Sequence, residues 1–248
     1  MPDAPQLIVA LDTPEAAALE RLVDDLAGLP VLFKSHWISF PSLGFEGLRR
    51  VVDKTGDRLF LDFKLHDIPN TVKHAIRSLL PRVPFRLLTL HAAGGPAMIQ
   101  AARLEVDRYT EATAGAGMAA APKLIAITLL TSVGEPELTA VGFPWKSRED
   151  GVLHLARLAY DNGAHGVVCS PQEAPRLRRE FGPDLLLVCP GIRLEGDDAA
   201  DHANTATPAE ARDLGADYIV VGRPIYTAHH PVKVAADILR QLGRQPVH

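Results

Sequence analysis

Apolar, β-branched runs alternate with amphipathic segments about eight times along this 248-residue chain, and that repetition constrains its fold most strongly. The runs cover residues 7–12, 31–36, 58–64, 86–92, 123–130, 165–170, 185–191 and 218–222. Most of them are continuously apolar rather than alternating, which is typical of parallel strands that are covered on both faces.

The segments between these runs have the apolar spacing of helices. They cover residues 14–27, 41–53, 69–80, 96–113, 147–162, 171–181, 208–214 and 231–242, and many begin at or near a proline. About eight strand–helix units predict the α/β class and a single-domain (β/α)8 TIM barrel over residues 1–248. A doubly wound open sheet is the alternative, but no Gly-x-Gly-x-x-Gly follows the first strand.

Composition excludes several classes of protein. The formal net charge of -4 gives no general reason to expect a nucleic-acid partner, and no apolar run reaches the roughly 18 residues that span a membrane. The first residues lack the basic and apolar regions of a signal peptide, so we expect a cytoplasmic protein. Cys169 and Cys189 form no Cys-x-x-Cys motif, so we expect reduced, buried thiols and no metal.

Residues 60–71 place three charges at the end of one strand. Asp62 and Lys64 lie two positions apart and should face the same side, Asp67 follows where alternation breaks, and Pro69 opens a helix. Ionisable groups at the mouth of a buried strand are costly unless they have a function, although a structural ion pair is the alternative.

Polar residues also follow the other predicted strands. In a TIM barrel the C-terminal ends of the strands meet at one face, which carries the functional side chains. The residues at these ends are Asp12, Lys34, Asp62, Lys64, His91, Thr128, Thr131, Ser170, Pro190, Arg193, Gly222 and Arg223. One such residue could be a helix cap or a surface ion pair, but their convergence predicts a binding or catalytic site.

The last strand runs into Gly222, Arg223 and Pro224, which favour a phosphate site. Glycine allows close approach of a ligand, the amides at a helix start favour an anion, and arginine is a bidentate phosphate donor. Barrels commonly bind phosphate after strands seven and eight. A tight turn with a surface arginine is the alternative. Long loops at 131–145 and 193–207 lie on the same face and are candidate lids.

The string Asp-x-Lys-x-x-Asp-Ile-Pro-x-Thr at residues 62–71 resembles the signature of the orotidine 5'-monophosphate decarboxylase family of bacterial type. The resemblance extends from about residue 7 to about residue 242. It implies decarboxylation of orotidine 5'-monophosphate to uridine 5'-monophosphate, the last step of de novo pyrimidine nucleotide synthesis, without a cofactor or metal. It also implies a homodimer with shared active sites.

The resemblance also implies roles for particular residues. Lys64 would be the cation and proton donor at C6, within a network of Asp62, Asp67 and Lys34. The implied substrate-binding residues are Asp12, Lys34, Ile68, Thr71, Thr131, Pro190, Arg193, His202, Gly222 and Arg223. Asp12 would bind the ribose, Thr131 the pyrimidine, and Asp67 and Thr71 the ribose of the neighbouring subunit's site. His202 stands where the family usually has a glutamine, and could equally be a solvated loop residue.

Two other classes remain open. Metal-dependent sugar-phosphate decarboxylases and lyases of the same barrel group share Asp-x-Lys-x-x-Asp, but they place a carboxylate in the second strand to hold magnesium. This chain has Lys34 and no acid there. A non-catalytic phosphate-binding barrel is the second alternative, against which the pair of Asp62 and Lys64 argues.

Overall fold

A computed structural model describes residues 6–114, 121–194 and 205–244. They form one closed barrel of eight parallel strands that pair in chain order, with the last strand returning to the first. The strands are β1 (Gln6–Ala10), β2 (Leu32–Ser35), β3 (Leu59–Leu65), β4 (Leu87–His91), β5 (Lys123–Ile127), β6 (Gly166–Val168), β7 (Leu186–Cys189) and β8 (Tyr218–Val221). The predicted (β/α)8 TIM barrel is confirmed, and the open sheet is excluded.

Helices follow the strands around the barrel. They are α1 (Ala16–Leu26), α2 (Phe40–Thr55), α3 (Pro69–Leu79), α4 (Gly95–Thr113), α5 (Glu135–Ala140), α6 (Arg148–Asp161), α7 (Ala174–Phe181), α8 (Pro208–Asp213), α9 (Arg223–Tyr226) and α10 (Pro231–Gln241). Helix α5 lies inside segment 131–145, which was predicted as a loop. The sequence did not predict this helix because six residues are too few to show a helical period. Its start is fixed by Glu137, whose carboxylate accepts the amide proton of Gly134 at 3.0 Å.

Alternate positions along each strand fill the inside of the barrel. The buried floor consists of Ile8, Leu32, Phe60, Leu87, Ile125, Val188 and Tyr218. The opposite faces of the strands pack against the helices in the larger core cluster, which contains Leu7, Phe33 and Leu61. Since side chains alternate along a strand, the inward positions beyond the floor emerge at the C-terminal face. The residues that reach a cavity at that face are therefore those that lie on the same side of each strand as the floor residues.

Two observations concern the predictions about thiols and membranes. Cys169 and Cys189 are free and buried, with their sulfur atoms 3.7 Å apart. Within the described ranges, none of the helices combines the length and apolarity that a membrane span requires.

His165 is expected to make the barrel sensitive to acid. Its Nδ1 accepts the amide proton of Leu124 at 3.0 Å, and burial lowers its pKa to about 4, helped by the charges of Arg103 and Lys123. An unfolded histidine titrates near 6.5, so the unfolded chain binds a proton between pH 6.5 and 4 that the folded chain does not. Folding stability is therefore lost as the pH falls through this window, by about 1–2 kcal/mol between pH 7 and 5.

Urea unfolding of His165→Asn at pH 7 and pH 5 checks this expectation. Asparagine keeps an acceptor for Leu124 but does not titrate, so the variant should lose less stability on acidification than the wild type. His74→Asn, at an exposed position, is the matched control and should follow the wild type. An equal loss in His165→Asn and wild type would contradict the assignment.

Candidate active site

A cavity of about 660 Å³ opens at the C-terminal ends of the strands. Its polar side chains come from residues that follow six different strands or lie near their ends. They are Asp12, Lys34, His36, Asp62, Lys64, Thr131, Arg193, Arg223, Tyr226 and Thr227. Ile127, Leu129, Leu130, Val168, Val188, Pro190, Ile192 and Val220 supply apolar walls. The site is therefore large enough for a small ligand and has both a charged wall and apolar walls.

Four charged residues from three neighbouring strands form a chain of ion pairs along one wall. Lys64 Nζ lies 2.8 Å from Asp62 Oδ2, and Lys34 Nζ lies 3.3 Å from the same oxygen. Lys34 Nζ also lies 3.5 Å from Asp12 Oδ1. The order Asp12, Lys34, Asp62, Lys64 alternates in sign, so each lysine has at least one carboxylate partner.

Asp62 stands at the centre of this network and is mostly buried. Burial alone would raise its pKa, but the charges of Lys34 and Lys64, with hydrogen bonds from Lys64 and Thr89, outweigh burial and hold the pKa below its ordinary value. Thr89 Oγ1 donates to Asp62 Oδ1 at 2.9 Å. The carboxylate is therefore ionised at neutral pH, with both oxygens engaged. Thr89 was not predicted from the sequence; its inward position on β4 was the available signal.

Lys64 has an unusual backbone conformation. Its φ of 50° makes it the one non-glycine residue with a positive φ in the three described ranges. The pairing of β3 with β4 shifts register between Leu61 and Leu65, and the amide of Lys64 donates to Thr89 Oγ1 at 2.9 Å. A left-handed conformation is uncommon outside glycine and is held by its surroundings. Here it directs the lysine, whose side chain is 32% exposed against 7% for Lys34, into the cavity.

Asp12 forms the other end of the network, next to His36. Burial raises the pKa of Asp12, but the hydrogen bond from His36 and the charge of Lys34 outweigh it and hold the pKa below its ordinary value. His36 Nε2 lies 3.0 Å from Asp12 Oδ1. The sequence interpretation missed His36, although it lies two positions after Lys34 and so shares its inward side.

The segments that follow β7 and β8 hold residues that were predicted to bind phosphate and base. A Cβ placed on Gly222 would lie 3.4 Å from Ala10 Cβ and 3.5 Å from Asp12 Oδ2, so a side chain there would narrow the cavity. Arg223 is exposed at the start of α9 and lines the cavity. The amide of Arg193 donates to the carbonyl of Ala206 at 3.0 Å, which joins the two described ends of the loop after β7.

The structure does not bring every predicted residue to the cavity. Asp67, Ile68 and Thr71 are exposed and do not line it, and Asp67 Oδ1 accepts the amide proton of Ile68 at 2.7 Å. His202 lies outside the described residues. His91, Thr128 and Ser170 also lie at strand ends without lining the cavity. His91 stacks on His66, Thr128 donates to the carbonyl of Val168, and Ser170 is fully buried.

Three large apolar side chains that follow β2 and β3 are exposed. Trp37 and Ile38 follow β2 and are 59% and 47% exposed, and Ile68 follows β3 and is 65% exposed. Trp37 stacks on Phe63, with ring centroids 5.2 Å apart, and its indole nitrogen donates to the Phe63 carbonyl. We call Trp37, Ile38 and Ile68 the apolar patch. The backbone amides of Ile38 and Ile68 are also hydrogen-bonded, to His36 Nδ1 and Asp67 Oδ1, so all three side chains are presented on a held backbone.

No cluster of three or more His, Cys, Asp or Glu side chains that could hold a metal ion occurs among residues 6–114, 121–194 and 205–244. The two carboxylates of the cavity are instead paired with the ammonium groups of Lys34 and Lys64.

A closed barrel with a charged cavity at the C-terminal ends of its strands is the arrangement of a (β/α)8-barrel enzyme. Residues 5–238 match the model of the orotidine 5'-phosphate decarboxylase / HUMPS family, and the chain belongs to that family. It is 43% identical to orotidine 5'-phosphate decarboxylase of Paramagnetospirillum magneticum over 235 residues, which cover 95% of this chain and 97% of that protein.

Two further relatives cover almost the whole chain. Orotidine 5'-phosphate decarboxylase of Moorella thermoacetica is 41% identical, over 96% of this chain and 92% of that protein. The crystal structure of orotidine 5'-phosphate decarboxylase from Lactobacillus acidophilus superimposes with a TM-score of 0.81 at 33% identity, over 97% of this chain and 99% of that one. The family resemblance predicted from residues 62–71 is therefore confirmed.

Proposed function

We propose that this protein decarboxylates orotidine 5'-monophosphate to uridine 5'-monophosphate and CO2, as the last step of de novo pyrimidine nucleotide synthesis in the cytoplasm. The observation that carries the proposal is the pair of Lys64 and Asp62 at 2.8 Å on the cavity wall, with Lys34 rather than a carboxylate on β2. The family and the activity named for its relatives support the same reaction.

Lys64 is the residue that we assign to C6 of the pyrimidine. Loss of CO2 leaves carbanion character at that carbon, and a cation held beside it stabilises the developing charge. The same ammonium group then supplies the proton that C6 needs. Lys64 is the more exposed of the two lysines in the network, at 32% against 7% for Lys34, so its ammonium group is the more accessible to a ligand.

Asp62 lies next to that lysine and would face the substrate carboxylate. Two like charges at about 4 Å repel by roughly 4 kcal/mol at an effective dielectric constant near 20. The repulsion ends when CO2 leaves, and destabilisation of the ground state is one contribution that such a site can make. Thr89 and Lys34 hold Asp62 in place, so the carboxylate cannot turn away to avoid the substrate.

The charged network also bears on the metal-dependent alternative. A magnesium ion at Asp62 would have to share that carboxylate with two ammonium groups, at 2.8 Å and 3.3 Å. Like charges at such distances repel, so the arrangement favours chemistry in which lysine supplies the cation.

One assay tests the proposed function against both alternatives. Orotidine 5'-monophosphate is added to protein freed of metal by a chelator, and the pyrimidine absorbance is followed. We expect it to fall as CO2 is released. Activity that requires restored magnesium would favour the sugar-phosphate decarboxylases and lyases, and binding without CO2 release would favour the non-catalytic barrel.

Arg223 is expected to contribute binding through the phosphate. Arg223→Ala should weaken binding of uridine 5'-monophosphate by about 2–5 kcal/mol, as for a truncated charge pair. Uridine, which lacks the phosphate, should bind the variant and the wild type almost equally, and calorimetry measures both. An equal loss for nucleotide and nucleoside would make Arg223 structural rather than a phosphate ligand.

A homodimer with shared sites is the second part of the proposal. Asp67, Ile68 and Thr71 are exposed and do not line their own chain's cavity, and Ile68 belongs to the apolar patch. Exposed apolar groups on a fixed backbone commonly mark a protein interface. A two-fold dimer through this surface would let each chain lend Asp67 and Thr71 to its neighbour.

A further inference from the structure

We propose that His36 is a positioning residue, which fixes the carboxylate of Asp12 so that its second oxygen faces a ribose hydroxyl of the bound nucleotide. The inference rests on the proposed function, because it takes the ligand to be a pyrimidine ribonucleoside monophosphate. It adds a residue that neither the signature at 62–71 nor the network of lysines includes.

Both ring nitrogens of His36 are engaged. Nδ1 accepts the amide proton of Ile38 at 3.0 Å, and Nε2 faces Asp12 Oδ1 at 3.0 Å. An imidazole that accepts at one nitrogen and donates at the other is neutral and has its proton on Nε2. The ring therefore cannot turn without losing one of the two hydrogen bonds, and it has no nitrogen left for a ligand.

The backbone beneath the ring is also fixed. The carbonyl of His36 accepts the amide protons of Ser39 and Phe40 at 3.1 Å and 2.8 Å. The amide of His36 donates to Ser39 Oγ at 3.3 Å, and that hydroxyl lies 2.9 Å from Ser35 Oγ. His36 is thus held in place by the turn into α2. Its contact through Nε2 in turn restricts the orientation of the Asp12 carboxylate.

The two oxygens of Asp12 have different surroundings. Oδ1 lies 3.0 Å from His36 Nε2 and 3.5 Å from Lys34 Nζ. Oδ2 faces Gly222, since a Cβ on that glycine would lie 3.5 Å away, and within the described part of the chain it has no hydrogen-bond donor. A carboxylate with one oxygen engaged and the other turned to the cavity is suited to accept a hydroxyl proton.

Lys34 alone would hold Asp12 poorly. Its ammonium group is closer to Asp62, at 3.3 Å, than to Asp12, at 3.5 Å, and the Asp12 side chain is 29% exposed. Without His36 the Asp12 carboxylate could rotate in the open cavity, and binding a ribose would then require ordering it. A side chain that is already fixed avoids that cost on binding.

Two substitutions separate the two hydrogen bonds of His36. His36→Asn places an acceptor near the position of Nδ1 and keeps the bond from Ile38, but it cannot reach Asp12. His36→Gln places an amide donor near the position of Nε2 and keeps the bond to Asp12. We expect His36→Asn to raise KM about tenfold with a much smaller change in kcat, because it removes binding shared by ground and transition states. His36→Gln should restore most of the affinity.

Direct binding of uridine 5'-monophosphate and of its 2'-deoxy and 3'-deoxy analogues provides the decisive comparison. In the wild type, removal of the hydroxyl that donates to Asp12 should lower the affinity. In His36→Asn the ratio of affinities between the ribonucleotide and that deoxy analogue should fall about tenfold. His36→Gln should discriminate like the wild type. The inference is overturned if His36→Asn discriminates like the wild type, if it weakens all three ligands equally, or if His36→Gln is as defective as His36→Asn.

Failure of the proposed function would look different. If the wild type binds these nucleotides but releases no CO2 from orotidine 5'-monophosphate, the decarboxylase assignment fails while the binding comparison still tests His36. If the wild type turns over the substrate and His36→Asn and His36→Gln both discriminate like the wild type, the His36 inference fails and the decarboxylase assignment stands.

Discussion

Lys64→Ala should lose about 10⁴–10⁷-fold in kcat, the combined range for a lost general acid and a lost electrostatic contact at the developing charge. Among the described residues, Lys34 is the other lysine that lines the cavity, and its side chain is only 7% exposed and pairs with Asp62 at 3.3 Å. Uridine 5'-monophosphate should still bind measurably, since the proposed phosphate contact at Arg223 is retained. Single-turnover kinetics and calorimetry measure the two quantities separately.

The variant should remain folded, because Asp62 keeps Lys34 at 3.3 Å and Thr89 at 2.9 Å as partners. Lys54→Ala is the matched control: Lys54 is an exposed lysine that pairs with Asp24 on the outside of the barrel, and its removal should leave turnover unchanged. A kcat within about 10²-fold of the wild type would show that Lys64 is not the proton donor.

Mixing Lys64→Ala with Asp67→Asn should restore activity that neither variant has alone. In a shared site, Lys64 comes from one chain and Asp67 from its partner. A mixed dimer then has one site with both defects and one intact site. In an equal random mixture about half the dimers are mixed and half of their sites are intact, so activity should recover to about one quarter of the wild type.

The control mixture combines Lys64→Ala with Asp62→Asn. These two residues contact each other within one chain, at 2.8 Å, so every site of a mixed dimer keeps one defect. That mixture should remain inactive after the dimers are dissociated and re-formed. If the Asp67 mixture also stays inactive although mixed dimers form, Asp67 serves its own chain's site or none.

Sequence periodicity was sufficient to predict the barrel. Each predicted strand lies within a few residues of an observed one. A continuous apolar run is buried on both sides where one side faces the inside of the barrel and the other packs against the helices. The clearest differences are at the strand ends: the run 123–130 was predicted as a strand, but β5 ends at Ile127. Leu129 and Leu130 line the cavity wall instead. Their apolar character alone cannot distinguish a residue of the cavity wall from a residue of a strand.

The site was only partly predictable. Asp12, Lys34, Asp62 and Lys64 were found because parallel strands bring their C-terminal ends together. His36 and Thr89 were missed, since a histidine and a threonine at inward positions have no distinctive local pattern. The left-handed backbone of Lys64 was also missed, because it depends on the register shift between β3 and β4 rather than on residue type.

The position of Trp37 makes the assembly state accessible to spectroscopy. The chain has two tryptophans, and they lie in different environments. Trp37 is 59% exposed in the apolar patch, whereas Trp145, at the end of segment 131–145, is half-buried and packs against Phe143 and His154. Indole emission depends on contact with water, so a contact that covers the patch would change the fluorescence of Trp37. The fluorescence of the unlabelled protein should therefore report whether such a contact is lost on dilution.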